Sequence, residues 1–532
     1  GAFPSSPPHK KHPPKKRPLN KKPYLCTTDY IPIIFHQLTP NKIHMRKTEF
    51  AKYVYIGIVT IIYATCLYML GRNLTFETLT YDEAGQFFMS RGLNHYSEPN
   101  SVSGSLWDVV IQNQHYNRDP GGFSMILYFW SMISCNIVWL RLLPFLFFIG
   151  AIVFTCLTVY EVTRRKLMAF TSGLLLMALW GGTLPYCLRA YSMELCGMAF
   201  GLWMIFKLRQ PQSIGKLAAY SIIFALFLTA RYTIIIFGAV YALFGIYNIY
   251  SWKPALSKHN YLIYIGIFGL PLLLSVLYSY FLAMRIQNPD AASMDYAVYL
   301  YTKHWPFKLV MAGLIFAIAT YRWQSYSMRL LTIICIVINA ICITLGYFKL
   351  LPWTLLDIKG NCFVWLWYTT VFSLTVDLFR NKISNCPICN YAFLGMPIFF
   401  IIWGNSSTRF LIPYSLRDEG ITEIFDNINT PVQHPIMVNT EMSPSVRYIF
   451  EHGSLKSDNR FNYPSDFIFL SGDRHSDWSN EEISRRKNYA ILDNRPANTY
   501  LISYKYTNII TFPESYQPVG THNIYHLVFL KQ

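Results

Sequence analysis

Between residues 53 and 404 the chain runs as long apolar blocks separated by short basic clusters, and this pattern constrains the fold more than any other feature. A helix needs about 20 predominantly apolar residues to cross a hydrocarbon core of about 30 Å, and blocks of that size recur here. The spacing predicts eleven crossings, over 53–71, 138–160, 167–184, 190–206, 217–230, 232–250, 261–284, 309–321, 330–348, 362–379 and 391–404. Composition agrees. Apolar residues make up 53% of the chain and charged residues only 14%, against about 25% charged in an ordinary soluble domain. That is too little charge to cover a water-facing surface, and it excludes disorder, collagen and coiled coil for the bulk of the chain.

The gaps set the orientation. With the N-terminus cytoplasmic, the inward gaps hold twelve basic residues, Arg164, Arg165, Lys166, Lys207, Arg209, Lys216, Lys253, Lys258, Arg322, Arg329, Arg380 and Lys382. The outward gaps after the second crossing hold seven, Arg189, Arg231, Arg285, Lys303, Lys308, Lys349 and Lys359. An inward excess of Lys and Arg fixes topology, and it leaves everything after 404 extracytoplasmic. Residues 217–250, interrupted only by Arg231, would run about 50 Å as one helix, so they predict two crossings joined by a tight turn. Residues 122–134 are apolar but too short to cross, and they predict an aromatic-rich helix lying in the interface.

Three regions flank or interrupt this pattern. Residues 1–44 hold nine of the 29 prolines and a net charge of +7, and a segment of that composition cannot bury enough apolar surface to fold. It lacks the apolar core of a signal peptide, and the Met45-Arg46-Lys47 run before the first block reads as a natural start. Residues 405–532 regain soluble charge density and are long enough for their own core. There, Ser479-Asn480-Glu481-Glu482 is a capping-box pattern, and 499–504 and 522–529 read as strands. They predict a small α/β domain without cysteine, which fits a bacterial envelope. Cys386-Pro-Ile-Cys389 has zinc-knuckle spacing but no second pair nearby.

The third region is the first outer loop, 72–137, and it carries the chemistry. Acid concentrates there in a chain of net charge +18: Glu77, Asp82, Glu83, Glu98, Asp108 and Asp119 face Arg72, Arg91 and Arg118. Asp82-Glu83 follows the first crossing closely. Asp119-Pro120-Gly121-Gly122-Phe123 opens the interfacial helix, Arg141-Leu142-Leu143-Pro144 opens the next crossing, and Arg189-Ala190-Tyr191 forms a later outer turn.

In this order, the four motifs resemble those of the polyprenyl-phosphate-sugar-dependent glycosyltransferases of GT-C fold, the branch holding protein O-mannosyltransferases and the lipid A aminoarabinose transferase. The resemblance covers roughly 53–210. At the interfacial helix the family's His-Pro-Pro element is replaced by Asp119-Pro120-Gly121-Gly122, which leaves the subfamily and the substrate open. The resemblance implies an all-α polytopic GT-C enzyme of the cytoplasmic membrane. It would be an inverting hexosyl- or pentosyltransferase, acting on a glycan, lipid or protein acceptor and having no nucleic-acid partner. It implies Asp82 as the base that takes the acceptor's proton, with Glu83 and Asp119 beside it. Arg189, Tyr191, Arg231, Arg141, Lys303, His304 and Lys359 are the candidates to hold the donor phosphate, since guanidinium grips phosphate bidentately. A divalent cation, Mg or Mn, would sit on Asp82 and Glu83. The rival readings are a lipid-linked glycan flippase and an oligosaccharide-repeat polymerase. A transporter, however, places its charges at the midplane of broken helices, and here they stand at helix ends.

Overall fold

The computed structural model describes residues 40–75, 79–93, 99–116, 119–180, 184–252, 260–283, 305–347, 362–379, 421–440, 442–470, 487, 490–504, 515–520 and 526–532. Two units are present, 1–58 and 59–532. In the first, helix α1 (Pro40–Gly71) begins, five residues inside the segment expected to be unfolded. A proline in the first helical position costs no hydrogen bond, because that N–H has no helical acceptor. Tyr53, Val54, Ile56 and Ile58 of this unit are exposed apolar side chains.

The second unit is built on helices. After α1 come α2 (Tyr81–Ser90), α3 (Leu106–Tyr116), α4 (Gly122–Ile133), α5 (Ile137–Thr163), α6 (Lys166–Trp180), α7 (Tyr191–Lys207), α8 (Ile214–Leu228), α9 (Tyr232–Ser251) and α10 (Asn260–Tyr278). Then α11 (Trp305–Ala319), α12 (Tyr326–Tyr347) and α13 (Cys362–Leu378) follow. They fall on ten of the eleven expected crossings; 391–404 lies outside the described residues. Ile137–Thr163, Tyr232–Ser251 and Tyr261–Phe281 are each long and apolar enough to cross a membrane. Residues 217–250 do break into two helices, at Thr229–Arg231, and α4 is a separate helix of 12 residues. Some boundaries differ from expectation: α11 begins at Trp305 rather than 309, and α12 at Tyr326 rather than 330.

Helix α5 is the central post and packs on α6, α7, α12 and α13. Phe148, Ala151, Ile152, Thr155, Val159 and Val162 form its buried face, a helical spacing. Leu146 and Val153 point outward and are exposed, as are Ile222, Leu243, Leu273 and Ile318 elsewhere. A bundle that is apolar inside and out is one solvated by lipid.

The C-terminal part forms a five-stranded mixed sheet in the order β2-β1-β3-β5-β4, with β1 Ile436–Val438, β2 Phe467–Phe469, β3 Tyr500–Tyr504, β4 Tyr516–Gly520 and β5 His526–Lys531. Strands β3 and β5 lie on the two segments read as strands. Ile436, Val438, Ile502 and Val528 face one core, whereas Met437, Leu501 and Phe529 face the other, the two-residue alternation of a covered sheet. Helix α14 (Ser443–Glu451) covers the first face and also packs on α2. The 479–482 pattern and Cys386–Cys389 lie outside the described residues.

Candidate active site

The N-termini of α2, α4, α7 and α9 come together at one end of the bundle, and each brings a residue singled out in the sequence. Helix α2 starts where it does because Thr80 and Glu83 cap it reciprocally: Glu83 N–H donates to Thr80 Oγ1 at 3.3 Å, and Thr80 N–H donates to Glu83 Oε2 at 3.0 Å. Acids in a first turn also meet the positive end of the helix dipole.

Glu83 does more than cap. Its Oε2 pairs with Arg141 Nη2 at 3.2 Å, and its Oε1 accepts the Leu188 N–H at 2.8 Å. Both side chains are almost wholly buried, at 4% and 3% exposure. Glu83 therefore binds α2, α5 and the 184–190 turn together. Both of its oxygens are thus engaged, by three donors in all. No cluster of three metal-ligating side chains occurs among the described residues.

Asp82 is partly exposed, one residue nearer the helix start. Its carbonyl oxygen accepts from Arg189 Nη1 at 3.3 Å. Burial opposes the charge of Arg189, but Tyr191, Asp82 and Asp119 outweigh it and raise its pKa, so the guanidinium stays charged. Cys187, beside Glu83 and Arg189, is pushed up by burial and stays a neutral thiol.

A second knot surrounds Arg231, the residue before α9. Its Nε donates to Asp119 Oδ1 at 3.2 Å and its Nη1 to Glu194 Oε2 at 3.1 Å, while its guanidinium lies over the Tyr191 ring at 4.7 Å. The sequence sets Arg231 against a donor phosphate; in the structure it pairs with two protein carboxylates. Arg141 is likewise taken by Glu83. In both cases a buried cation has a counter-charge in the resting protein.

The Asp-Pro-Gly-Gly run has a local cause. Gly121 adopts φ +93°, a left-handed conformation that side chains resist. At Gly122 a Cβ would collide with the Thr229 side chain, and the Gly122 N–H donates to the Thr229 carbonyl at 3.0 Å. Asn113, Ser124 and Gln86 add a relay that sequence reading missed. Gln86 Nε2 donates to Ser124 Oγ at 2.6 Å, Ser124 Oγ to Asn113 Oδ1 at 2.7 Å, and Asn113 Nδ2 to the Asp119 carbonyl at 2.6 Å. Lone polar residues on separate helices carry no spacing signal. The Thr80-x-x-Glu83 capping box did, and it would have revealed the structural role of Glu83. Lys303, His304 and Lys359 lie outside the described residues.

Aligned on the whole fold, the chain superposes on the crystal structure of ArnT from Cupriavidus metallidurans in the apo state, with a TM-score of 0.51, covering 90% of this chain and 98% of that one. The two share a fold. Identity is only 12%, so the likeness carries architecture: the polytopic GT-C fold expected from the motifs. No protein-family model matches the sequence, and no curated protein matches it.

Proposed function

We propose that this protein is a membrane glycosyltransferase that moves a sugar from a polyprenyl-phosphate donor to an acceptor hydroxyl on the outer face of the cytoplasmic membrane. The observation that carries the reading is the meeting of Asp82 and Arg189, an accessible acid and a charged guanidinium at one helix N-terminus within an ArnT-like fold. The acceptor's O–H gives its proton to the Asp82 carboxylate as its oxygen bonds to the sugar's anomeric carbon. The bond from that carbon to the phosphate oxygen breaks, and polyprenyl phosphate leaves with the electron pair. Arg189 receives the charge that develops on the phosphate, an interaction that strengthens toward the transition state. Glu83, Arg141, Asp119, Glu194 and Arg231 are positioning residues that hold the helix starts in place.

In this reading eleven spans put Met45 in the cytoplasm and Gln532 outside, with α4 in the interface. Reporter fusions at 165, 255, 325 and 383 should report cytoplasm, and those at 100, 295 and 450 the outside. The decisive experiment compares Asp82→Asn with wild type, using membranes supplied with lipid-linked donor. The amide keeps shape and hydrogen bonding but accepts no proton. General-base catalysis is worth about 10²–10⁴-fold, so kcat should fall by that factor while donor binding survives. Asp108→Asn, in the same loop, should be close to wild type. Full activity in well-folded Asp82→Asn would refute the reading and favour a flippase.

A further inference from the structure

We propose that the cleft between the start of α5 and the C-terminal sheet unit is a carbohydrate subsite that holds the acceptor's own glycan, which narrows the acceptor to a molecule already bearing sugar. The cleft measures about 520 Å³, within the range of about 300–1,000 Å³ typical of ligand pockets. It stands apart from the Asp82–Arg189 cluster. One wall is Asn136 and Ile137, where α5 begins; the other includes Glu423, Asp426, His452 and Arg460 from the C-terminal unit.

The chemistry of the lining selects the ligand. Arg460 is the one guanidinium in the lining, and it is already pinned by Asp426 at 2.7 Å and Asp458 at 2.8 Å. Glu423 and Asp426 therefore leave the cleft net acidic, and a phosphate or other anion would be repelled. An apolar ligand would cover the exposed Glu423 carboxylate and take its water away without replacing it. A hydroxyl-rich neutral ligand satisfies both constraints: its O–H groups donate to the carboxylates, while Ile137 and Leu455 offer apolar surface to the C–H face of a sugar ring.

Two further contacts tie the cleft to the reaction centre. Tyr448 and His452, both in its lining, meet the Phe87 ring at 5.3 and 5.2 Å. Phe87 lies on α2, the helix that carries Asp82, about 7.5 Å along the axis at 1.5 Å per residue. Next to Asn136, Trp130 and Trp139 stack at 4.4 Å and each donates its indole N–H to the other's carbonyl. An aromatic pair of this kind marks a membrane boundary, so the cleft stands at the depth where a surface glycan emerges.

The assignment of the glycan as acceptor rests on the glycosyltransferase reading; the binding of sugar does not. Saturation-transfer NMR on the full chain in detergent, with maltose, cellobiose and chitobiose each at ~10 mM to populate a millimolar site, tests it. At least one disaccharide should receive saturation from wild type and from Asp82→Asn alike, and the signal should drop at least tenfold in Glu423→Gln. Should Glu423→Gln melt early, Ile137→Trp, which fills the cleft from the opposite wall, should give the same loss. The proposal is overturned if no disaccharide binds, if both variants bind as wild type does, or if inorganic phosphate displaces the sugar. Sugar binding together with full transferase activity in Asp82→Asn would sink the catalytic reading and leave the subsite standing.

Discussion

The two ends of the helical bundle use the same pairing of carboxylate with cation, but they differ in how much water reaches it. At the α2 end, Glu83–Arg141 and Asp119–Arg231–Glu194 are sealed, with side-chain exposures of 12% or less. At the opposite end, Glu161 takes Arg164 at 2.7 Å and also Lys207, whose side chains are 57% and 39% exposed. Nearby, Arg209 donates to Ser327 at 2.7 Å and stacks on Tyr326 at 4.7 Å. Exposed pairs are worth about 0–1 kcal/mol, whereas removing one partner of a buried pair costs about 3–5 kcal/mol. The basic end therefore makes little demand on geometry. At the acidic end the sealed pairs fix geometry, and Asp82 beside them is partly exposed.

That contrast can be broken at several points. The Asp82→Asn assay should show the largest effect, a 10²- to 10⁴-fold loss of kcat with melting unchanged. Glu83→Ala should do the reverse, lowering stability by about 3–5 kcal/mol because Arg141 is left buried without its carboxylate; thermal melting in detergent reads this out. A melting point equal to wild type would mean that Glu83 is not the tie between α2 and α5. Arg189→Ala should cost about 1.5–3 kcal/mol, or roughly 10- to 150-fold in donor kcat/KM, with folding retained. Unchanged donor kinetics would move the phosphate contact elsewhere.

A smaller effect is expected where α14 meets α2. Burial, and then the Arg91 charge, lower the His452 pKa from 6.5 to about 4. His452 is thus neutral in the folded protein while its unfolded counterpart protonates below about 6.5. Its contribution is complete above pH 6.5 and is lost as pH falls toward 4. With partial exposure discounted, the loss is roughly 1–2 kcal/mol. Melting of His452→Gln should accordingly be flatter than wild type over that window. The smallest change belongs to the other end: Arg164→Gln, at a side chain 57% exposed, should shift stability by no more than about 1 kcal/mol. A loss as large as that of Glu83→Ala would erase the distinction between the two ends.

The helices were legible because apolar periodicity is local. Strands β3 and β5 were legible for the same reason, as runs of β-branched and aromatic residues. The division at Arg231 was readable from one charge in an apolar run, and the shortness of α4 from a count of residues. The starts of α11 and α12 were placed four residues late, because Lys308 and Arg329 in their first turns were read as gap residues. In the site, the acids of the first loop and the arginines at helix ends were found, but the pairing of Glu83 with Arg141 and of Arg231 with Asp119 and Glu194 was not.

The sequence by itself determined that the chain is a bundle of membrane helices, where those helices lie, and that acid gathers in the first loop. Each follows from composition or spacing within about 20 residues, the scale of one span. Only the tertiary structure decided which acid answers which cation. Glu83 meets Arg141 across 58 residues, Arg231 meets Glu194 across 37, and Arg231 meets Asp119 across 112. Partners at such separations are chosen by how helices pack and which charges that packing seals from water, and no local propensity encodes that choice.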